Sequence, residues 1–476
     1  AEQVDWNDFR DHLATADKSG RRRWIYPKKI DGRFYRARTY VSWLLLAVMF
    51  AGPFIRINGN PLLMVNLVER RFSILGQIFW PQDVAIFAVA MLLFLTGIIV
   101  FTTAFGRLWC GWTCPQTLLM EMVFRKIEYA IEGDANEQRA LAAAPWTVSK
   151  FAKKAGKQAV FLALSFVIGN TLLSYIIGSD QLFQIVLDNP SNHLRGLTFM
   201  VLFTLLFYAI FARFREQACT FICPYGRFQS TVFDENTLAV AYDHRRGEPR
   251  GRWRREQAPE ERKLEGLGDC VGCSQCVSVC PTGIDIRNGI QMECVNCTAC
   301  IDACDAVMTT IGKPRGLIRY ASLNSIERRD KFRFTPRLAG YCVVLAALIS
   351  LFLYLVLTRS AVEATLLRAP GALFQRTADG IENLYTLKLV NKTSQALPVT
   401  LRLESPAGKL KVMGAGALTV PKEQLVATSV LVELSPGVLT GHNTKLRIGV
   451  YANGKRLSTV DTIFAGPREE GVPGPH

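Results

Sequence analysis

No glycine-rich loop of the kind that cradles NAD or a flavin occurs anywhere in the chain, so the sequence names no direct electron donor. Cysteine stops at Cys342, which excludes both a disulfide framework and thiol chemistry from the long tail that follows. Histidine is scarce, five residues in 476. His193 and His244 lie in polar surroundings and read as solvated side chains rather than ligands. His442 is the one interior histidine of the tail, and no carboxylate–histidine cluster accompanies it, so nothing there reads as catalytic. Carboxylates are also in deficit, 40 against 56 lysines and arginines, for a formal charge of +16. That excess comes with no nucleic-acid reader motif, which argues against nucleic acid as a partner.

Charge itself is nearly missing from five stretches, residues 40–55, 84–105, 158–178, 197–214 and 338–357. A bilayer crossing needs about 20 apolar residues, and five such runs favour membrane spans over buried soluble helices. The first is short and holds Gly52-Pro53. What precedes it is too long and too charged for a signal peptide. Lysine and arginine concentrate before the first span (Arg21, Arg22, Arg23, Lys28, Lys29, Arg33, Arg36, Arg38). They recur between the second and third (Lys126, Lys150, Lys153, Lys154, Lys157) and in residues 245–263 and 328–337. The loops 56–83 and 179–195 have few. By the positive-inside rule the N-terminus faces the cytoplasm and the tail lies outside. Twelve of the 13 cysteines then fall on the reducing side. The exception, Cys342, reads as a small core residue of the fifth span.

Against these absences stands one dense cluster. Cys270, Cys273, Cys276 and Cys280 are followed by Cys294, Cys297, Cys300 and Cys304, each run spaced C-x2-C-x2-C-x3-C. This is the ligand pattern of two-cluster ferredoxins, in which the fourth cysteine of each run serves the other run's cluster. One [4Fe–4S] cluster is expected on Cys270, Cys273, Cys276 and Cys304, the other on Cys294, Cys297, Cys300 and Cys280. Zinc knuckles would need a long gap between cysteine pairs, and none occurs. One departure is Asp305 after Cys304, where the first run has Pro281.

A second constellation is duplicated. Span two runs into Cys110-Gly-Trp-Thr-Cys114-Pro115, and span four into Cys219-Thr-Phe-Ile-Cys223-Pro224. Each proline biases the preceding cysteine away from helical geometry and suits the first helical position itself. Cys114 and Cys223 are therefore expected at helix N-caps, where the dipole favours thiolate. Brought together by the repeat, the four thiols would make a soft-metal site at the cytoplasmic membrane surface, suited to Cu(I), zinc or an iron–sulfur cluster. Four inert packing cysteines are the plain alternative. Glu121 and Glu128 follow on the same helix and read as a solvated face at least as readily as a proton relay. Trp109 and Trp112 read as interfacial anchors.

The organisation is thus a basic leader (1–39, with a short amphipathic helix expected near residues 6–13) and a four-span domain with both C-x3-C-P motifs (40–232). A charged linker or lid (233–264), a two-cluster domain with its lead-in (265–337) and a fifth span (338–358) follow. The tail (362–470) alternates apolar and polar residues over 384–390 and 399–403. Asn453-Gly454 between two such runs signals a hairpin, and the whole reads as an immunoglobulin-type β-sandwich.

Motifs in this order resemble the CcoG/FixG/RdxA family of cytochrome c oxidase accessory proteins. They include Cys110-Gly-Trp-Thr-Cys114-Pro115, Cys219-x3-Cys223-Pro224-Tyr225-Gly226-Arg227 and the tandem cysteine runs. The resemblance covers essentially the whole chain. It implies a multi-pass protein of the bacterial inner membrane with a periplasmic sandwich. The implied activity is reduction of Cu(II) to Cu(I), with Cys110, Cys114, Cys219 and Cys223 as the copper site. The implied partners are a cbb-type oxidase or its copper-delivery factors, and an unidentified electron donor. The same C-x3-C-P motif occurs in quinol-linked electron-transfer subunits, so that role stands as an alternative, and a non-catalytic assembly or redox-sensing factor as another.

Overall fold

Among the described residues of the computed structural model, four helices are long and apolar enough to cross a membrane: Val84–Phe105, Val148–Ile177, Pro190–Phe214 and Pro336–Leu357. The structure describes residues 15, 19, 21–57, 59–66, 71–74, 76–80, 83–253, 262, 264–329, 334–370, 373–377, 380–393, 395–414, 418–422, 424–439 and 441–467. The helix expected near residues 6–13 lies outside them.

The stretch 40–55 is not a fifth such span. It forms the C-terminal part of a helix, Arg33–Ala51, that begins inside the basic leader and carries Arg33, Arg36 and Arg38 in its first turns. Gly52 and Pro53 end it before the apolar part reaches spanning length. Its N-terminus is held by Asp302 of the cysteine-rich segment, whose carboxylate accepts from Phe34 N at 3.2 Å and Tyr35 N at 2.8 Å. A carboxylate at a helix N-terminus satisfies orphan donors and the dipole together.

The helices Val148–Ile177 and Pro190–Phe214 share a core with Arg33–Ala51 and the segment after Cys114, built of Leu46, Leu118, Phe124, Phe161, Ile168 and Phe211. Phe124 stacks on Phe211 at 4.5 Å and meets Phe161 edge-on at 4.8 Å. Such aromatic pairs are worth about 0.5–1.5 kcal/mol beyond the area they bury.

Part of the stretch read as a charged linker is core. Ala239–Tyr242 is buried along its whole length and pairs antiparallel with Ile318–Ala321. Its four apolar residues interrupt a charged run, and Val240 and Tyr242, with Ile284, Ile286, Ile301 and Met308, floor the cysteine-rich domain. Arg262, also from that stretch, is fully buried and donates to the carbonyls of Gly251, Gly268 and Cys270.

The tail forms two packed sheets. One orders Lys409–Val412, Leu425–Leu434, Ile381–Asn391 and Val362–Arg368; the other orders Leu418–Val420, Leu397–Ser405, Asn443–Ala452 and Lys455–Ala465. Alternating residues such as Tyr385, Leu387, Leu389, Val430, Val432, Ile448 and Val450 fill the space between them. Asn453 and Gly454, at φ +51° and +79°, make the expected hairpin turn.

Candidate functional site

The two cysteine runs build one loop twice. Gly272 and Asn296 occupy equivalent positions with φ +67° and +53°, and Ser274 and Thr298 occupy the next with φ +53° and +66°. Left-handed residues on both sides of the middle cysteine curl the backbone so that three thiols face inward. Outside glycine such residues cost about 1–2 kcal/mol each, a strain retained where the loop must wrap a ligand. Asn296 offsets part of it, because its side-chain oxygen accepts from Val240 N at 3.2 Å.

The loops leave differently. In the first run a single turn, Gln275–Ser278, precedes Cys280 and Pro281. In the second, the helix Ala299–Thr310 carries Cys300 and Cys304 and continues past Asp305, which accepts from Gly316 N at 2.8 Å. Asp305 in place of proline is what lets that helix continue.

Two cavities result. One is lined by Cys270, Cys273, Cys276 and Cys304 with Tyr242, Arg287 and Met308. The other is lined by Cys280, Cys294, Cys297 and Cys300, and Cys276 lines both. Each gathers three cysteines of one run and the fourth of the other, a donor set that suits a cubane cluster. Burial pushes the Cys276, Cys294 and Cys304 thiols up to about 12 and Cys297 up to about 11. Such thiols ionise at neutral pH only when a metal replaces the proton.

The C-x3-C-P halves are also built alike. Cys114 and Cys223 have extended backbones (φ/ψ −61°/123° and −71°/114°) and cap helices opened by Pro115 and Pro224. Each donates its N–H five residues back, Cys114 to Trp109 O and Cys223 to Ala218 O, both at 2.9 Å. All four thiols are half-buried. Burial and the neighbouring thiols push Cys110 up to about 11 and Cys219 up to about 12, and the Cys110 sulfur accepts from Gln229 Nε2 at 3.4 Å. Among the described residues, no three His, Cys, Asp or Glu side chains converge tightly enough to grip a single metal ion.

Pro115 also starts a run of buried charge. Glu128, read above as part of a solvated face, is 4% exposed. It pairs with Arg215 and, at 3.4 Å, with Lys157; Glu132 takes Lys154 at 2.8 Å and Lys157 at 3.0 Å. Burial alone would raise Glu128, but Arg215, Lys157 and Arg125 hold it below its ordinary value. Glu121, Glu128 and Glu132 recur at helical spacing; Glu128 and Glu132 turn toward cations from other elements, and Glu121 pairs with Arg125 of its own segment at 3.3 Å.

The two constellations touch. A Cβ on Gly111 would lie 2.5 Å from Val295 O and 2.7 Å from Asn296 O, so only glycine fits between Cys110 and the Cys294–Cys297 loop. Cys110 packs against Val279, Val295, Cys297, Ala299 and Ala303. Arg38, 4% exposed, donates to Gly111 O at 2.6 Å and to Cys297 O at 3.5 Å. Trp112 Nε1 donates to Tyr320 OH at 3.0 Å, which donates on to Asn296 O at 3.3 Å. Arg38 and Trp112 were legible only as a topology charge and an interfacial anchor; the glycine inside C-G-W-T-C was the one available signal of close approach.

Three family models match: "4Fe-4S binding domain" over residues 87–131, "4Fe-4S dicluster domain" over 214–323, and "IG-like fold at C-terminal of FixG" over 352–467. The nitrogen fixation protein FixG of Rhizobium meliloti is 35% identical over 83% of this chain and 82% of its own. Proteins RdxA and RdxB of Cereibacter sphaeroides are 34% and 32% identical. They match 93% and 95% of this chain and 97% and 98% of their own.

Proposed function

The chain belongs to the FixG/RdxA family of membrane iron–sulfur proteins, and from that premise we propose that it reduces Cu(II) to Cu(I) at the C-x3-C-P tetrad. Cys270, Cys273, Cys276 and Cys304 would hold one cluster and Cys280, Cys294, Cys297 and Cys300 the other. Bound clusters supply one-electron storage close to the membrane. The observation that carries the reading is the packing of Cys110-Gly111 on the Cys294–Cys297 loop, which sets a soft-ligand site directly against a loop that would hold an electron store.

Cys110, Cys114, Cys219 and Cys223 receive the copper ion. Thiolates favour Cu(I) over Cu(II), so this site stabilises the product of a one-electron step. The buried pairs of Glu128 with Arg215 and Lys157 fix the helix that follows Cys114. We assign the tetrad and both cluster sites to the cytoplasmic face of the inner membrane and the sandwich to the periplasm, following the basic segments. The sandwich would then act as a docking module toward a cbb-type oxidase or its copper carriers.

Thiols alone can reduce Cu(II) by forming disulfides, so the test must separate the two electron sources. Cu(I) yield is measured anaerobically for dithionite-reduced protein and for protein stripped of iron with its thiols intact. The proposal expects Cu(I) beyond the thiol background only in the first. Equal yields per thiol would refute it.

A further inference from the structure

We propose that the two quartets are opposite ends of one electron path. The quartet of Cys270, Cys273, Cys276 and Cys304 receives electrons from a soluble, acidic one-electron carrier protein docking at Cys273. The quartet of Cys280, Cys294, Cys297 and Cys300 delivers them to the C-x3-C-P tetrad. The delivering half rests on the copper reading above; the receiving half does not.

Of the 13 cysteines, Cys273 alone is exposed, and Gly272 and Ser274 beside it are exposed too. A carrier can therefore approach this quartet at its edge. The rim is basic. Lys28 Nζ lies 3.5 Å from Gln275 Oε1, and Arg287 Nη2 lies 3.4 Å from Ser274 Oγ. Arg250 and Arg252 flank Gly251, whose N–H donates to Cys270 O at 3.3 Å. Against these four cations stand Asp285 and Glu248, bound to Arg287 at 2.6 Å and to Arg250 at 3.0 Å. A positive rim around an exposed redox edge selects a negatively charged partner and speeds its approach.

The other quartet has no exposed cysteine. Both halves of the tetrad touch the segments that carry it. Cys110 packs on the apolar cluster that holds Val295 and Cys297, and Gly111 contacts the Val295 and Asn296 carbonyls. Cys219 shares a small cavity with Pro281, Thr282 and Val295, and Thr282 Oγ1 is 3.4 Å from the Cys280 sulfur. One electron leaves the carrier, which is oxidised, and ends on Cu(II), giving Cu(I). The electron transfer breaks no covalent bond; the thiols that bind copper release their protons to solvent as the copper–sulfur bonds form.

The test uses full-length, cluster-loaded protein in lipid nanodiscs, with iron content matched between variants. In the copper-free arm, photoreduced flavodoxin is the acidic carrier, and bleaching of the cluster absorbance is followed by stopped flow. The double variant Lys28→Glu/Arg252→Glu is expected to slow bleaching about tenfold at low salt, with the difference collapsing at high salt. Cluster potentials are measured by EPR titration, so that any shift from the reversed charges is separated from the salt-dependent docking effect. A rate equal to wild type, or a loss independent of salt, overturns the docking surface.

In the second arm, dithionite-reduced protein meets Cu(II), and reoxidation is followed at the same wavelength. Gly111→Ala is expected to slow it several-fold. If that variant loses its clusters, Cys280→Ser keeps the first quartet whole, and its remaining EPR signal should persist well after wild type has reoxidised. Reoxidation of Cys280→Ser as fast as wild type overturns the delivering assignment. If Cu(II) fails to reoxidise wild type at all, the copper reading falls, and the copper-free arm still decides the receiving end.

Discussion

In the run Cys270–Cys280 the middle thiol is open to solvent, and Pro281 turns the chain away directly after the last. In the run Cys294–Cys304 the middle thiol is buried in the apolar cluster on which Cys110 packs, and Asp305 lets the helix continue to Thr310. Spacing and loop conformation are the same in both, down to the left-handed residues beside the middle cysteine. The difference lies entirely in the flanks. Ligand spacing decides what each run can hold, and neighbouring segments decide what each can exchange electrons with.

The sharpest way to break this comparison is to exchange the fourth ligands. Cys280→Ser should abolish the cluster signal that belongs with Cys294, Cys297 and Cys300, and Cys304→Ser the one that belongs with Cys270, Cys273 and Cys276. Redox-resolved EPR reads each loss. If each substitution removes its own run's signal, the crossed arrangement is wrong.

Arg38 touches one quartet only. Arg38→Met removes a buried cationic donor from Gly111 O and Cys297 O. A stability loss of about 2–3 kcal/mol is expected, seen in denaturant unfolding. Loss of a nearby positive charge should also shift the potential of the second cluster, and not the first, to more negative values. Equal shifts in both would show that the two environments are not separate.

pH distinguishes the tetrad from the quartets by exchange rather than strength. The Cys110 and Cys219 thiols are raised to about 11 and 12, so binding copper there must displace protons. Apparent Cu(I) affinity should therefore rise with pH across the neutral range, by about tenfold per unit for each proton released. Competition with a pH-insensitive chelator measures it, and a flat profile would mean the thiols do not bind. The smallest effect concerns the loops. Ser274→Gly should stabilise the protein by about 1 kcal/mol or less by relieving a left-handed residue. Asn296→Gly should gain less, because it also loses the bond to Val240 N. Chemical unfolding of both variants checks the order.

What was legible in the sequence was local chemistry. The cysteine spacings, the cap positions of Cys114 and Cys223, and the Asn453-Gly454 turn each depend on residues within a few positions of one another. What was not legible depends on distant partners. Asp302 holds the N-terminus of a helix that begins at Arg33, and charge counting assigned that arginine to topology alone. Glu128 looked solvated because its partners Lys157 and Arg215 come from other elements. The strand Ala239–Tyr242 was hidden by the charged residues around it, since its partner Ile318–Ala321 lies beyond both cysteine runs.

The central claim is that electrons stored by the quartets leave through the tetrad to copper. Freeze-quench EPR tests it most directly, by mixing dithionite-reduced protein with Cu(II) and following the cluster and Cu(II) signals together in wild type and in the Cys110/Cys114/Cys219/Cys223→Ser variant. The account predicts that both signals fade in step in wild type and that both persist in the variant. Cu(II) fading while the cluster signals remain, or equal fading in the variant, would contradict it.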